Sequence, residues 1–271
     1  MNTKIKTFLM ALVLLPATLI FAACGGPLDS KASVNVSGNY NQESSVEDLQ
    51  AYVNDATTDA ESIQNGFKLS LDLAMDVDGQ KVTFNLNSIM KMNETTCEMY
   101  TKLTGKSGKE SLSMTFYMIG EKSETSEITG TVYADINMGS EMNGKYKFSI
   151  KDFESRPDLY GVVAGLTAVT EEFSLDNIKN LESSLSGDKA IMKSVTDNST
   201  KFKVTLSSGD DKTADLYYVF ENNKWVGFQI NNYTYTDNSM GVITVNCSMC
   251  TFTDEINFDT NGYTDFTMPT A

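Results

Sequence analysis

The sequence contains no histidine, and this absence excludes whole classes of chemistry. Histidine is the side chain best suited to proton transfer near neutral pH, and it is the commonest protein ligand of transition metals. Ser-His-Asp and Cys-His hydrolysis are therefore excluded for this chain. The carboxylates are scattered through predicted turns and polar strand faces, so we expect a protein that is not an enzyme and has no cofactor.

Basic residues are scarce as well, and Arg156 is the only arginine. The 21 lysines and arginines stand against 36 acidic residues. Such an acidic chain repels phosphate backbones and anionic lipid head groups, so we expect no nucleic-acid partner and no attachment to a membrane through a basic patch.

A long apolar run is also missing. Residues 8–21 are almost all apolar, but they fall short of the roughly 20 residues that a membrane-spanning helix needs. They follow Lys4 and Lys6 and precede the small residues Ala22 and Ala23, which is typical of a secretory signal. An ordinary signal peptide that happens to end before a cysteine would show the same pattern.

The step Ala22-Ala23-Cys24 resembles the lipobox of bacterial lipoproteins. The resemblance implies that residues 1–23 are a lipoprotein signal peptide and that Cys24 is the lipidation site, carrying a diacylglyceryl group. It also implies an extracytoplasmic protein that is lipid-anchored to the cell membrane of a Gram-positive-like cell. A single acyl chain binds membranes only marginally, so the two chains of the diacylglyceryl group matter for anchoring.

Two segments follow the signal. Residues 24–45 are rich in Gly, Ser and Asn and predict a flexible tether. Residues 46–271 then predict the folded domain, which starts with a helix over 46–63, capped by Ser45 and acidic in its first turn.

Strict alternation of apolar and polar residues over 67–77 predicts a half-buried strand. Hairpin signals stand at Asp78-Gly79 and Asn222-Asn223. Similar patterns predict further strands at 81–92, 95–103, 111–119, 131–138, 145–153, 201–207, 214–221, 224–235, 241–251 and 255–258. The apolar segment 159–173 after Arg156-Pro157 predicts a helix, followed by a shorter one over 174–185.

Helix and meander thus occur twice, which suggests halves at 46–155 and 156–271. The predicted fold class is α+β, a large curved antiparallel β-sheet, or half-barrel, packed on a few helices. This arrangement behind a lipobox resembles the LolA/LppX-type lipoprotein carriers and the Gram-positive LolA-like lipoproteins of unknown function. The resemblance spans about 46–271 and implies a hydrophobic cavity between sheet and helices that holds acyl chains.

Methionines are concentrated in the first predicted meander, since eight of the twelve that follow residue 23 lie between Met75 and Met142. Methionine is unbranched and polarizable, so a methionine-rich face can repack around varied ligands. We therefore expect a hydrophobic or amphipathic ligand on one sheet face, partly covered by 159–173. The candidate ligand-binding residues are Leu73, Met75, Phe84, Leu86, Met90, Met114, Phe116, Met118, Val163 and Leu166. Ordinary core packing is the alternative for the same pattern.

Two functions follow from these observations. The first is a non-catalytic carrier or sensor that holds a lipid or other hydrophobic molecule near the membrane. The second is an interaction module whose sheet face or edge docks another envelope protein or a cell-wall polymer. A deep apolar pocket favours the first, and a packed interior with an exposed apolar patch favours the second.

The cysteines do not predict a redox or metal site. The motif CSMC at 247–250 lies in a predicted strand, where residues three apart point to opposite faces about 10 Å apart, so it does not predict a redox pair. The disulfide that this reasoning leaves is a structural one across the sheet, from Cys97 to Cys247 or to Cys250. Three thiols without histidine do not complete a zinc site. The segment 257–268 resembles a calcium loop, but Met268 replaces the required carboxylate, so we predict a turn and no metal.

Overall fold

The long alternating segments form strands, as their pattern predicts, and the strands join one sheet. The computed structural model describes residues 28, 30–58, 66–77, 79–93, 95–108, 110–123, 128–138, 143–155, 190–207, 213–237 and 241–266. The strands are β1 (Gln42–Glu43), β2 (Phe67–Val77), β3 (Gln80–Met92), β4 (Thr96–Ser107), β5 (Glu110–Lys122), β6 (Ile128–Asn137), β7 (Asn143–Ser149), β8 (Ile191–Thr196), β9 (Ser199–Ser207), β10 (Thr213–Glu221), β11 (Lys224–Asp237), β12 (Gly241–Thr251) and β13 (Thr264–Asp265). The described helices are α1 (Val46–Thr58) and α2 (Ile150–Glu154).

The sheet has 13 strands in the order β1-β8-β9-β10-β11-β12-β2-β3-β4-β5-β6-β7-β13. It contains two meanders, β2–β7 and β8–β12, in which neighbours along the chain pair antiparallel. The ladder between β12 and β2 joins the meanders, from Val242 opposite Asp76 to Thr251 opposite Phe67. At the far edge β13 pairs with β7 in parallel.

The predicted α+β class is therefore wrong. Within the described ranges the chain is mostly strand, and its two helices have 13 and 5 residues. Apolar and polar residues alternate in nearly every described segment. Few described residues therefore show the 3.6-residue spacing of apolar positions that is typical of helices. The sheet is also mixed because of the β7–β13 pair. The predicted helices over 159–173 and 174–185 lie outside the described residues.

Several boundaries differ from the prediction. Helix α1 is capped as expected, with the Asp48 backbone N–H donating to Ser45 Oγ at 3.1 Å. The strand predicted over 145–153 stops at Ser149, whose hydroxyl accepts from the Asp152 N–H and starts α2. The strand predicted over 255–258 does not form, and β8 has no predicted counterpart.

The turn predicted at Asn222-Asn223 is confirmed, since both residues have positive φ, 51° and 61°, as a tight hairpin turn requires. By contrast, β11 is not the uniform strand that its sequence suggests. Its register shifts between Ile230 and Tyr233, where Asn232 has a φ of 55° and donates its N–H to Asn246 Oδ1 at 2.8 Å. This is a bulge of the kind that bends a strand.

Candidate functional site

The sheet has an inner face, which we define as the face that carries Leu71, Leu86, Leu103 and Met114. These residues stand opposite one another across β2–β5, and Cys247 continues the row on β12. One buried apolar cluster covers this face across both meanders. Helix α1 adds Leu49 and Val53 to the cluster at one side of the sheet, and α2 adds Phe153 at the other.

All described candidate ligand residues lie on the inner face. Six of them, Leu73, Met75, Phe84, Leu86, Met114 and Phe116, are no more than 5% exposed. Met90 and Met118 are half-buried. Val163 and Leu166 lie outside the described residues. The structure thus brings eight predicted residues onto one surface, which is closed to solvent at six of them and partly open at Met90 and Met118.

A row of methionines crosses this face. Met90 stands opposite Met99, and Met99 stands opposite Met118, on three adjacent strands. Met99 is buried and lies on the same face of β4 as Cys97 and Leu103, but it was not among the residues predicted from the sequence. Flexible, polarizable side chains in one row give this part of the face the capacity to adapt its shape.

One polar pair interrupts the inner face. Ser88 and Thr101 are buried and share a hydrogen bond of 2.8 Å between their hydroxyl oxygens. They lie between the row of Leu86 and Leu103 and the row of methionines. Each hydroxyl keeps further hydrogen-bonding capacity, so the pair offers a polar group within apolar surroundings.

The outer face, which carries Ser70, Ile89, Tyr117 and Ser248, is crossed by the N-terminal part of the described chain. We call residues 30–41 the N-terminal strap. Ser70 Oγ accepts from the Ala32 N–H at 2.7 Å, and Ser248 Oγ donates to the Ala32 carbonyl at 2.6 Å. Further along, Lys201 Nζ donates to the Ser37 carbonyl at 2.7 Å. The strap therefore runs from β2 and β12 towards the β8 edge.

Residues 24–45 were predicted as a flexible tether, and their described part is instead packed. A Cβ at Gly227 would lie 2.6 Å from Val34 Cγ1, so the strap approaches the backbone of β11 closely. The Tyr40 and Tyr217 rings are 5.6 Å apart. The prediction from composition was wrong because the strap is also held through its backbone groups, those of Ala32 and Ser37 among them, and backbone contacts produce no apolar pattern in the sequence.

The other side of the outer face is crossed by residues 252–266, which we call the C-terminal strap. Phe258 stacks on Tyr117 with ring centroids 4.5 Å apart, and Ile256 joins a buried cluster with Leu28, Ile89 and Tyr117. Asn261 donates its N–H to Asp259 Oδ1 at 2.9 Å, which confirms the turn predicted in 257–268. The strap then pairs with β7 as β13.

Charge at the outward positions of β2–β5 is nearly balanced, whereas the C-terminal strap that crosses the same face adds Asp254, Glu255, Asp259 and Asp265 and no lysine. Five lysines and four carboxylates occupy outward positions of β2–β5. These are Lys68, Lys81, Lys91, Lys102 and Lys106 with Asp72, Asp76, Glu98 and Glu121. Lys31 of the N-terminal strap pairs with Asp72, and Lys68 Nζ donates to Ser30 Oγ at 2.8 Å. Burial lowers the pKa of Lys68.

The predicted disulfide from Cys97 to Cys247 is absent, because both thiols are free, as is that of Cys250. Cys97 lies on β4 and Cys247 on β12, three strand spacings apart, or about 14 Å, which exceeds what a disulfide can span. Cys250, the alternative partner, is on the outer face beside Lys68. Burial raises the pKa of all three thiols, most strongly that of Cys247.

A separate pocket of about 450 Å³ lies at the β7 edge, among β6, β7, α2 and the C-terminal strap. Phe148 and Phe266 form part of its wall, and Lys147 pairs with Asp265 at 3.1 Å on its rim. None of the eight described candidate ligand residues lines it. Its mixed polar lining suits a small polar molecule better than an acyl chain.

The described ranges contain no group of three or more His, Cys, Asp or Glu residues placed to hold a metal ion. In the same part of the chain no helix is both long and apolar enough to cross a membrane.

Comparison with known proteins gives little further guidance. No family model matches the sequence, and no curated protein is similar to it. Among solved structures, a DUF1329 family protein from Desulfovibrio piger is similar over 74% of this chain and 90% of its own, with 6% identity and a TM-score of 0.22. These values are too low to establish a common fold.

Proposed function

We propose that the protein is a non-catalytic lipoprotein, anchored outside the cytoplasm through Cys24, that binds a hydrophobic or amphipathic molecule on the inner face of its sheet. The observation that carries the proposal is the continuous apolar face with its methionine row, Met90, Met99 and Met118. The resemblance to LolA/LppX-type carriers adds the expectation that the bound molecule has acyl chains. The lack of histidine in the chain is consistent with a binding role.

Charge and polarity of the inner face fit such a ligand. Apolar side chains dominate it, and the hydroxyls of Ser88 and Thr101 lie next to the methionine row. An acyl chain would lie along the methionines, and a polar head group could take up the free hydrogen-bonding capacity of the two hydroxyls. Few convergent polar groups in an apolar site are typical of small-molecule sites.

Native mass spectrometry of the chain from residue 24, made with Cys24→Ser, tests the proposal directly. We expect an apolar molecule that co-purifies with the protein, and saturable binding of a dansyl-labelled fatty acid after its removal. The variant Met118→Gln places an amide on the inner face and should weaken dansyl fatty acid binding by about 10-fold, because a buried amide without a partner costs roughly 1–2 kcal/mol.

Ile119 supplies a matched control. It is the next residue of β5, points to the outer face and is 47% exposed. Ile119→Gln should leave binding unchanged. A chain that carries no apolar molecule and does not bind the dansyl fatty acid would contradict the proposal.

The alternative is an envelope interaction module, and the low exposure of the inner-face residues favours it. Side chains such as Met114 and Phe116 are fully buried, as expected of plain core. However, the exposed large apolar residues of the described part, Ile119, Val195 and Val242, lie on β5, β8 and β12 and form no common patch. Failure of fatty acid binding together with capture of a wall polymer by the purified chain would support this alternative.

A further inference from the structure

The only tryptophan of the chain lies on the inner face of the sheet. Trp225 is the second residue of β11 and is 6% exposed within the apolar cluster of that face. It stands opposite Phe220 of β10, which in turn stands opposite Thr200 of β9, so the three side chains form one row. Helix α1 packs on this row, since the ring centroids of Tyr52 and Phe220 are 5.6 Å apart.

The indole nitrogen of Trp225 is buried and has no hydrogen-bond partner among the described residues. The hydroxyls next to the same row do have one, because Thr200 Oγ1 donates to Tyr52 Oη at 3.5 Å. A buried N–H without an acceptor destabilises the folded protein, since it has lost its bond to water and gained no other. Nearly all buried polar groups of proteins are hydrogen-bonded, so this donor suits a bound molecule that supplies the acceptor.

Trp225 lies at the same end of the sheet as the methionine row. β11 begins one residue before Trp225, β12 ends at Thr251, and Thr251, Phe67 and Met90 stand opposite one another on β12, β2 and β3. Phe67, Met90 and Met118 are half-buried, so the inner face is partly open to solvent at this end. Three strand spacings separate β11 from β3, or about 14 Å, a distance that a fatty acyl chain spans.

We propose that Trp225 determines the specificity of the inner-face site by donating a hydrogen bond from Nε1 to a carboxylate or carbonyl oxygen of the bound molecule. An indole N–H donates and cannot accept, so it selects a head group that has an acceptor. The ligand class is therefore fatty acids and their esters, with the acyl chain running from Trp225 to the methionine row. This inference rests on the proposed ligand binding but not on the lipidation of Cys24.

Two probes that differ only in the acceptor test this assignment. The first is a fatty acid with a dansyl label at the far end of its chain. The second is the same molecule with a methyl group in place of the carboxyl group. Fluorescence titration of the chain from residue 24, made with Cys24→Ser, measures the dissociation constant of each probe.

Trp225→Phe keeps an aromatic ring in the apolar cluster and removes the N–H donor. We expect this variant to bind the dansyl fatty acid about 10-fold more weakly, because the carboxylate loses a hydrogen bond. Binding of the methyl probe should change by less than about 2-fold, because this probe has no such bond to lose.

Phe228→Leu is the matched control. Phe228 lies on the same strand and the same face, is fully buried and carries no polar group. This variant should weaken the binding of both probes by the same factor. Equal weakening of both probes by Trp225→Phe, or no weakening of either, would overturn the proposal. Circular dichroism of each variant verifies its fold.

The indole N–H also gives a direct signal in nuclear magnetic resonance. Because the chain has one tryptophan, protein labelled with the magnetic isotope of nitrogen has one indole resonance. Unlabelled palmitic acid should move its proton signal downfield and slow its exchange with solvent, as expected when an N–H gains an acceptor. An indole signal that stays in place while palmitic acid is bound would overturn the proposal.

The chain that retains Trp225 separates the two possible failures. If it binds neither dansyl probe, the proposed ligand binding fails and the assignment of Trp225 fails with it. If it binds the dansyl fatty acid and the N–H of Trp225 makes no difference, only the assignment of Trp225 fails.

Discussion

The two faces of the sheet are closed by different means. On the inner face, large apolar side chains of both meanders form one cluster, to which α1 and α2 contribute at the two sides. On the outer face, two extended straps cover the strands through hydroxyls, lysines and a smaller cluster of Leu28, Ile89, Tyr117 and Ile256. Buried apolar area stabilises the first face, whereas specific hydrogen bonds and aromatic contacts position the straps on the second.

The difference shows that a polar strand face need not be a solvent face. Lys68 and Ser70 alternate with Leu69 and Leu71, the pattern of a strand with one wet side, yet Lys68 and Ser70 are buried under the N-terminal strap. Alternation reports which face is apolar, but it does not report whether the polar face is covered by another part of the chain.

The largest effect is expected from a cavity in the inner face. Phe116 is fully buried and contacts Phe153 of α2 with ring centroids 5.4 Å apart. Phe116→Ala should lower the free energy of unfolding by about 3–5 kcal/mol. On the same strand, Ile119→Ala on the outer face should change it by less than about 0.5 kcal/mol, since the side chain is exposed. Urea unfolding measures both, and equal effects would contradict the contrast between the faces.

An intermediate effect is expected where the N-terminal strap meets β2. Ser70 Oγ accepts from the Ala32 N–H at 2.7 Å and donates to Asn87 Oδ1 at 2.6 Å. Ser70→Ala leaves both groups without this partner and should cost about 1–3 kcal/mol. Hydrogen exchange should show faster exchange at Ala32 while the inner-face strands stay protected. Ser113→Ala, at a half-buried outer position of β5, is the control and should leave exchange at Ala32 unchanged.

Alkaline pH should loosen both faces through Tyr218, which is buried, and Tyr40, which is half-buried. Burial raises the pKa of Tyr218 on the inner face, and burial with the nearby Tyr217 and Asp215 raises the pKa of Tyr40 in the N-terminal strap to about 12. The folded state keeps protons that the unfolded chain releases above pH 10, so stability is complete below about pH 10 and falls above it.

Each fully buried tyrosine of this kind should contribute a slope of about −1.4 kcal/mol per pH unit between its unfolded and folded pKa. Unfolding by urea at pH 9, 10 and 11 measures the slope, and absorbance at 295 nm follows tyrosine ionisation. Tyr218→Phe should flatten the slope. An unchanged slope in that variant would show that Tyr218 does not contribute.

The smallest effect is expected at the half-exposed ion pair that joins α1 to β8. Lys193 Nζ lies 2.7 Å from Asp48 Oδ2, and the hydrogen bonds from Lys193 and Ser44 lower the pKa of Asp48. This contribution is present above the ordinary carboxyl pKa and is lost as the pH falls through the lowered value.

Asp48→Asn should cost less than about 1 kcal/mol because solvent screens the pair. The cost should shrink in 1 M NaCl, where the Debye length is about 3 Å. Lys203→Met, which removes the similar pair with Asp215 at 2.9 Å on the outer face, provides the comparison. A loss that does not respond to salt would indicate that packing of the Asp48 side chain, and not its charge, matters.

The sequence predicted most of the strands because each has strict local alternation. It predicted the hairpin at Asn222-Asn223 because few residues adopt positive φ readily. It placed the eight described candidate residues on one face for the same reason. It missed Met99, which shares the alternation of β4, and it missed the bulge at Asn232, which depends on a bond to Asn246 of another strand.

The disulfide prediction failed because it required the order of strands in space. Cys97 and Cys247 both point inwards, as their alternation indicates, but β2 and β3 lie between their strands. The tether prediction failed for a related reason. The contacts of residues 30–41 are made to β2, β12 and β9, which are distant in sequence.

By itself, the sequence determined most of the long strands, which face of each is apolar, the turn at Asn222-Asn223, and that histidine chemistry is excluded, because these properties depend on residue type and local spacing. Only the tertiary structure decided that β12 joins the two meanders into one sheet, that the two straps cover the outer face, and that Leu28 packs with Ile89 of β3 and Tyr117 of β5. Those outcomes depend on pairings between segments far apart in the chain, and a local pattern carries no information about its distant partner.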